Sequence, residues 1–78
     1  MAQIEDYEAD IQDRIDALEP GKDFRFSGLM GELWATVPEK ERTNLGTQFA
    51  EWVQAEKFVS VRYDGIYKSG RDNRYVRT

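Results

Sequence analysis

Hydrophobic positions recur with a helical period over two stretches of the chain and alternate over two shorter ones. Between residues 38 and 56, Leu45, Phe49, Trp52 and Val53 follow at spacings of four, three and one. At the helical advance these four fall in a sector of roughly 100°, which predicts a helix over 38–56 with one buried face. Pro38 suits the first helical position, where its missing N–H costs nothing. Glu39 and Glu41 in the first turn complement the helix dipole. The outer face carries Lys40, Thr43, Thr47, Ala50, Glu51 and Gln54, with Asn44 and Gln48 flanking it. Arg42 falls on the apolar side, where it packs or pairs locally. Gly46 stands in the helix interior, at a cost of about 1 kcal/mol against Ala. It either permits close approach by another element or marks a bend.

A second helical stripe, Ile4, Tyr7, Ile11, Ile15 and Leu18, runs at spacings of three, four, four and three. It predicts an amphipathic helix over 3–18 whose other faces are mostly acidic. Asp10 and Arg14 are placed to pair at i,i+4. The apolar stripe must be buried, either on the domain core or in a dimer seam. Pro20 and Gly21 then stop the helix. Asp23-Phe24-Arg25-Phe26 alternates and predicts a short strand with both phenylalanines inward. Ser27 is the expected N-cap of a short helix carrying Leu29, Met30, Leu33 and Trp34.

After the long helix, residues 58–63 alternate as a strand, with Val59, Val61 and Tyr63 on one face. Asp64-Gly65 is a tight-turn signal, and a second turn signal runs from Ser69 to Asn73. Residues 74–77 make the last strand. Two layouts fit: a middle strand at 66–68, or one long loop over 64–73 between two strands. The second is the preferred reading.

Seventy-eight residues make one domain, 1–78, near the lower limit for a self-sufficient core. Ten aromatic residues help to fill that core. The chain has neither Cys nor His, which removes thiolate and imidazole ligands and the commonest general base. Carboxylate pairs such as Glu5/Glu8 and Asp6/Asp10 lie on an exposed face, and the acidic face lacks the loop spacing of a calcium site. The expectation is therefore no enzyme, no cofactor and no metal. No apolar run approaches a membrane span, and the N-terminus lacks the basic start and apolar core of a secretory signal, so a cytoplasmic protein is expected.

The net charge of −4 is unevenly distributed. Residues 1–20 hold seven acids and one base; residues 57–78 hold six bases and two acids. Such a split bears on partners more than on fold. The element order is helix, short strand, helix, helix, strand, strand.

That order resembles the winged-helix order, in which a two-helix turn is followed by a C-terminal hairpin, the wing. The fold class expected is α+β, a small winged-helix-like domain. Pro20, Gly21, Phe24, Leu29, Trp34, Leu45, Gly46, Phe49 and Val53 also resemble the pattern of a family of small bacterial and phage proteins. Those positions are mostly turn and core types, so they argue for a shared fold. A winged helix bound to DNA inserts its second helix in the major groove. Lys40, Thr43, Asn44, Thr47 and Gln48 would then contact bases, with Arg42 beside them. Lys68, Arg71, Arg74 and also Arg77 would reach phosphate from the wing. Tyr63, Tyr67 and Tyr75 would either stack on unpaired bases or pair across strands. The first functional expectation is a DNA-binding regulatory module of phage or mobile-element origin, with duplex DNA as partner. The second is a protein-interaction module that uses the acidic helix 3–18 or the central helix, the acids presenting DNA-like charge. A monomer or weak dimer is expected, and no membrane.

Overall fold

The computed structural model describes residues 4–68, 70 and 72–78. A 3₁₀ turn, Ile4–Tyr7, leads into α1, Glu8–Asp16. Then come β1 (Asp23–Phe24), α2 (Phe26–Met30), a 3₁₀ segment (Gly31–Thr36), α3 (Glu39–Gln54), β2 (Val61–Ile66) and β3 (Asn73–Arg77). The strands form one antiparallel sheet in the order β1-β3-β2. The domain is α+β, and its elements follow the expected order.

The stripe of α1 docks on the body of its own domain. Ile4, Ile11 and Ile15 are buried, and Tyr7 and Leu18 pack against the core. The predicted Asp10–Arg14 pair gives way to a longer-range one. Arg14 donates from Nη2 to Glu32 at 3.0 Å and from Nη1 to the Leu29 carbonyl at 3.4 Å. A guanidinium there meets the negative end of α2.

Phe49 is the hub of the core. It is fully buried, stacks on Phe26 at 4.5 Å between ring centroids, and meets Tyr75 edge-on at 4.9 Å and Phe58 at 5.6 Å. Leu45 and Val53 are buried with it, while Trp52 is only half-buried. Across the sheet, Phe24 and Tyr63 flank Tyr75 on its two neighbouring strands, so the Tyr63–Tyr75 contact is a cross-strand pair.

Several local expectations are corrected. Pro38 has φ −54 and ψ 134, so it caps α3 from outside and is not its first helical residue. Its own ring fixes φ but leaves ψ extended. The strand at 23–26 stops at Phe24, because Arg25 is the N-cap of α2 and Phe26 is already helical. Ser27 therefore lies inside α2 and does not cap it. Both phenylalanines are nonetheless buried.

The C-terminal strands differ most. Residues 58–60 form a turn, closed by the Val61 amide on the Phe58 carbonyl at 3.4 Å. This leaves Val59 93 % exposed, while Phe58 and Val61 are buried. Asp64-Gly65 is not a tight turn. Gly65, at φ +91, takes up an irregularity in the β2–β3 register between Tyr63 and Ile66. A glycine bulge lets the strand continue where a turn was expected. The preferred long loop over 64–73 is thus too long, since β2 runs on to Ile66 and the Tyr67 amide donates to the Asp72 carbonyl at 3.0 Å just before β3. The sheet's third strand is β1, not a segment at 66–68.

Candidate functional site

The stripe on α3 turns Leu45 and Phe49 inward, which leaves Lys40, Thr43, Asn44 and Thr47 exposed. The acidic N-terminal segment meets α3 through its 3₁₀ turn. The Ile4 amide donates to the Gln48 side-chain oxygen at 3.2 Å, and Glu8 pairs with Lys57 at 3.6 Å. The 3₁₀ turn Ile4–Tyr7 therefore engages Gln48 and leaves Thr43 and Thr47 exposed.

Between the hairpin and α3 lies a cleft of about 410 Å³. Arg42, Thr43, Gly46, Thr47 and Ala50 form its α3 wall. Arg25, Phe26 and Ser27 come from the start of α2, Trp34 from the 3₁₀ segment, and Asp72, Asn73 and Tyr75 from the hairpin. The small residues Gly46 and Ala50 face it one helical turn apart. Gly46 has ordinary helical backbone, and a Cβ added there would meet nothing within 4 Å. Close packing therefore does not explain this glycine.

Arg42 packs and pairs locally, as its place on the helix wheel requires. Its Nε donates to the Val37 carbonyl at 3.2 Å, and its guanidinium carbon lies 5.7 Å from the Trp34 ring centroid. Among the described residues no carboxylate pairs with it. Arg25 pairs with Asp72 at 3.1 Å and lies 4.0 Å over the Tyr67 ring. The cleft thus holds two guanidiniums against one carboxylate, in a chain of net charge −4.

Two of the hairpin arginines are tied to the domain's own acids. Arg74 contacts Asp23 and Asp64, and Arg62 pairs with Asp64 at 2.8 Å. The Tyr67 hydroxyl donates to Asp23 at 2.8 Å. That hydrogen bond, with Arg74 adding to it, holds the Asp23 carboxyl below its ordinary range. Partial desolvation and the Asp23 carboxylate push the Tyr67 hydroxyl up, and burial does the same to Tyr75. Arg77 donates to the Ile15 carbonyl at 3.0 Å, anchoring β3 to α1. Lys68 is exposed, and Arg71 lies outside the described residues.

Of the residues the sequence pointed to, Arg42, Thr43 and Thr47 converge on the cleft, with Lys40 and Asn44 beside them on α3. Gln48, Arg74 and Arg77 are held elsewhere. Arg25, Ser27, Trp34 and Asn73 line the cleft and were not singled out. The alternation of Asp23-Phe24-Arg25-Phe26 carried one signal: with both phenylalanines inward, Arg25 must face away from them.

Among the described residues no helix is long and apolar enough to cross a membrane. No curated protein and no solved structure matches the chain. A family model matches residues 9–77, and the chain belongs to that family, a domain of unknown function (DUF1413).

Proposed function

We propose that this member of the DUF1413 family is a non-enzymatic nucleic-acid-binding module, with α3 as its reading helix and the C-terminal hairpin as its wing. The observation that carries the reading is the concave surface between them. Short polar side chains of α3 face a cleft whose far wall is the hairpin, and two arginines lie in it. Thr43, Asn44 and Thr47 supply hydroxyls and an amide of the kind that reads base edges. Lys40 at the start of α3 and Lys68 after β2 stand exposed. The polar face of α3 stays open at Lys40, Thr43, Asn44 and Thr47, the N-terminal 3₁₀ turn meeting the helix at Gln48.

The ion pairs of the hairpin set the character of the binding. Arg62 and Arg74 are neutralised by Asp23 and Asp64. Few phosphate contacts remain, so binding depends only shallowly on salt. The regulatory role and a phage or mobile-element origin belong to the same proposal. The test is a titration of the full chain with mixed-sequence duplex and single-stranded DNA at two ionic strengths. Saturable binding with a shallow salt slope supports the reading. No binding at low salt refutes it.

A second reading has its own observation. The acidic face of the N-terminal segment is exposed at Glu5 and Asp6 on the 3₁₀ turn and at Asp10 and Asp13 on α1, while the apolar stripe is buried in the core. A basic protein partner is what such a face suits, and pull-downs with and without charge reversal on α1 separate it from the first.

A further inference from the structure

The cleft is shaped and charged for one thing more specific than a duplex. We infer that it is a pocket for a single unpaired nucleotide, its base lodged over the Gly46–Ala50 floor and its phosphate on Arg42. The inference rests on the nucleic-acid reading above and narrows it.

Three observations carry it. The first is the glycine. Gly46 weakens the longest helix of a small domain, yet an added Cβ would touch nothing, so the fold gains nothing from its absence. What the glycine keeps open is the cleft it lines. The second is Arg42. Its Nε is fixed on the Val37 carbonyl and its guanidinium lies against Trp34, while no carboxylate neutralises it among the described residues. An arginine held in place with its charge uncompensated is prepared for a bidentate oxyanion. The third is the lining. A base has a flat face and a polar edge. Trp34 and the Arg42 plane offer stacking surfaces, and Thr43, Thr47 and Asn73 offer donors and acceptors. A volume of about 410 Å³ lies within the range of ligand sites, roughly 300–1,000 Å³. A base paired within a duplex cannot enter a pocket of this kind, so the occupant is single-stranded.

Charge argues for phosphate at this cleft rather than at Arg62 of β2 or at Arg74. The other arginines of the sheet, Arg62 and Arg74, already hold aspartates. The cleft has a surplus of one cation, since its one carboxylate, Asp72, pairs with Arg25. The site therefore takes one phosphate, not a tract of them, and its affinity rests more on stacking than on counterion release.

The test is fluorescence of the full chain, with Trp34 as the reporter in the cleft and Trp52 outside it. The probes are a short mixed single-stranded oligonucleotide, the same sequence as duplex, adenosine 5′-monophosphate, and inorganic phosphate. The expected result is quenching by the oligonucleotide and, more weakly, by the mononucleotide. Gly46→Leu, which fills the cleft, should weaken single-strand binding about tenfold or more, the order of one lost base stack. Arg42→Gln should do the same and serves where Gly46→Leu lowers the melting temperature. Unchanged single-strand affinity in folded variants overturns the pocket. Binding of duplex with no preference for the single strand also overturns it while leaving α3 as the nucleic-acid surface. No binding of any nucleic acid overturns both, and equal binding of phosphate alone and nucleotide removes the base from the proposal.

Discussion

Gly46→Ala should stabilise this protein. The residue lies in the interior of α3, 16 residues long, with ordinary helical backbone. A Cβ built there meets nothing within 4 Å, so no clash opposes it. The gain is then the helix-propensity difference, about 0.8–1 kcal/mol, part of which arises from the reduced freedom of the unfolded chain. In urea, a slope of about 1 kcal/mol/M for a small domain turns this into a midpoint shift of about 1 M. In a thermal melt it is about 4–8 °C. Gly65→Ala is the control. Gly65 sits at φ +91, where an L side chain is strained, and the substitution should cost about 1–2 kcal/mol. The two variants differ by the same methyl group and should move the midpoint in opposite directions, at unchanged slope. A lower midpoint for Gly46→Ala would refute the argument: it would mean that the glycine serves packing after all, and that the open cleft is incidental.

Phe49→Ala should cost about 3–5 kcal/mol, since it removes the hub on which Phe26, Phe58 and Tyr75 converge; a denaturant melt checks it, and a loss under about 1 kcal/mol would put Phe49 outside the core. Trp52→Ala should cost clearly less than Phe49→Ala in the same melt, because Trp52 is half-buried and its contacts are Phe58 and the Lys57 ammonium. The Asp23 carboxyl is held low in the folded state, so its contribution is present above the unfolded value of about 4 and is lost as pH falls through the folded one. Asp23→Asn should therefore flatten the acid limb of a stability–pH curve, and an unchanged limb contradicts the Tyr67–Asp23 hydrogen bond. Tyr67 and Tyr75 are raised, so their contribution holds below about pH 10 and fades as pH climbs through the folded values; Tyr75→Phe should blunt the alkaline loss of stability, followed by circular dichroism.

The helices were legible because a stripe of the right width has one way to be buried. Ile11 and Ile15 on α1, and Leu45, Phe49 and Val53 on α3, all sit where the period puts them. The C-terminal half was less legible because glycine is ambiguous. Asp64-Gly65 carries the same dipeptide signal in a turn and in a bulge, and only the pairing of Tyr63 and Ile66 with β3 decides between them. Alternation put Val59 on the same face as Val61, but alternation holds only within a strand, and the strand begins at Val61. The cleft was half visible. Arg42, Thr43 and Thr47 could be placed on α3 from the sequence, and Gly46 stood out as costly there. Their partners Arg25, Trp34 and Asn73 come from three other elements, and no local pattern joins them. The pairing of Arg62 and Arg74 with Asp23 and Asp64 was equally out of reach, since it links residues up to 51 apart. A count of basic residues in the hairpin therefore overstates the charge offered to a partner.

The most direct test of the nucleic-acid reading is heteronuclear NMR of the full chain during titration with DNA, single-stranded and duplex, at low and moderate salt. The account predicts shifts confined to the cleft and the polar face of α3, at residues 25–27, 34, 40–50 and 72–75, that persist at moderate salt because few phosphates are contacted. Shifts centred on the acidic face of α1, or none at low salt, would contradict it.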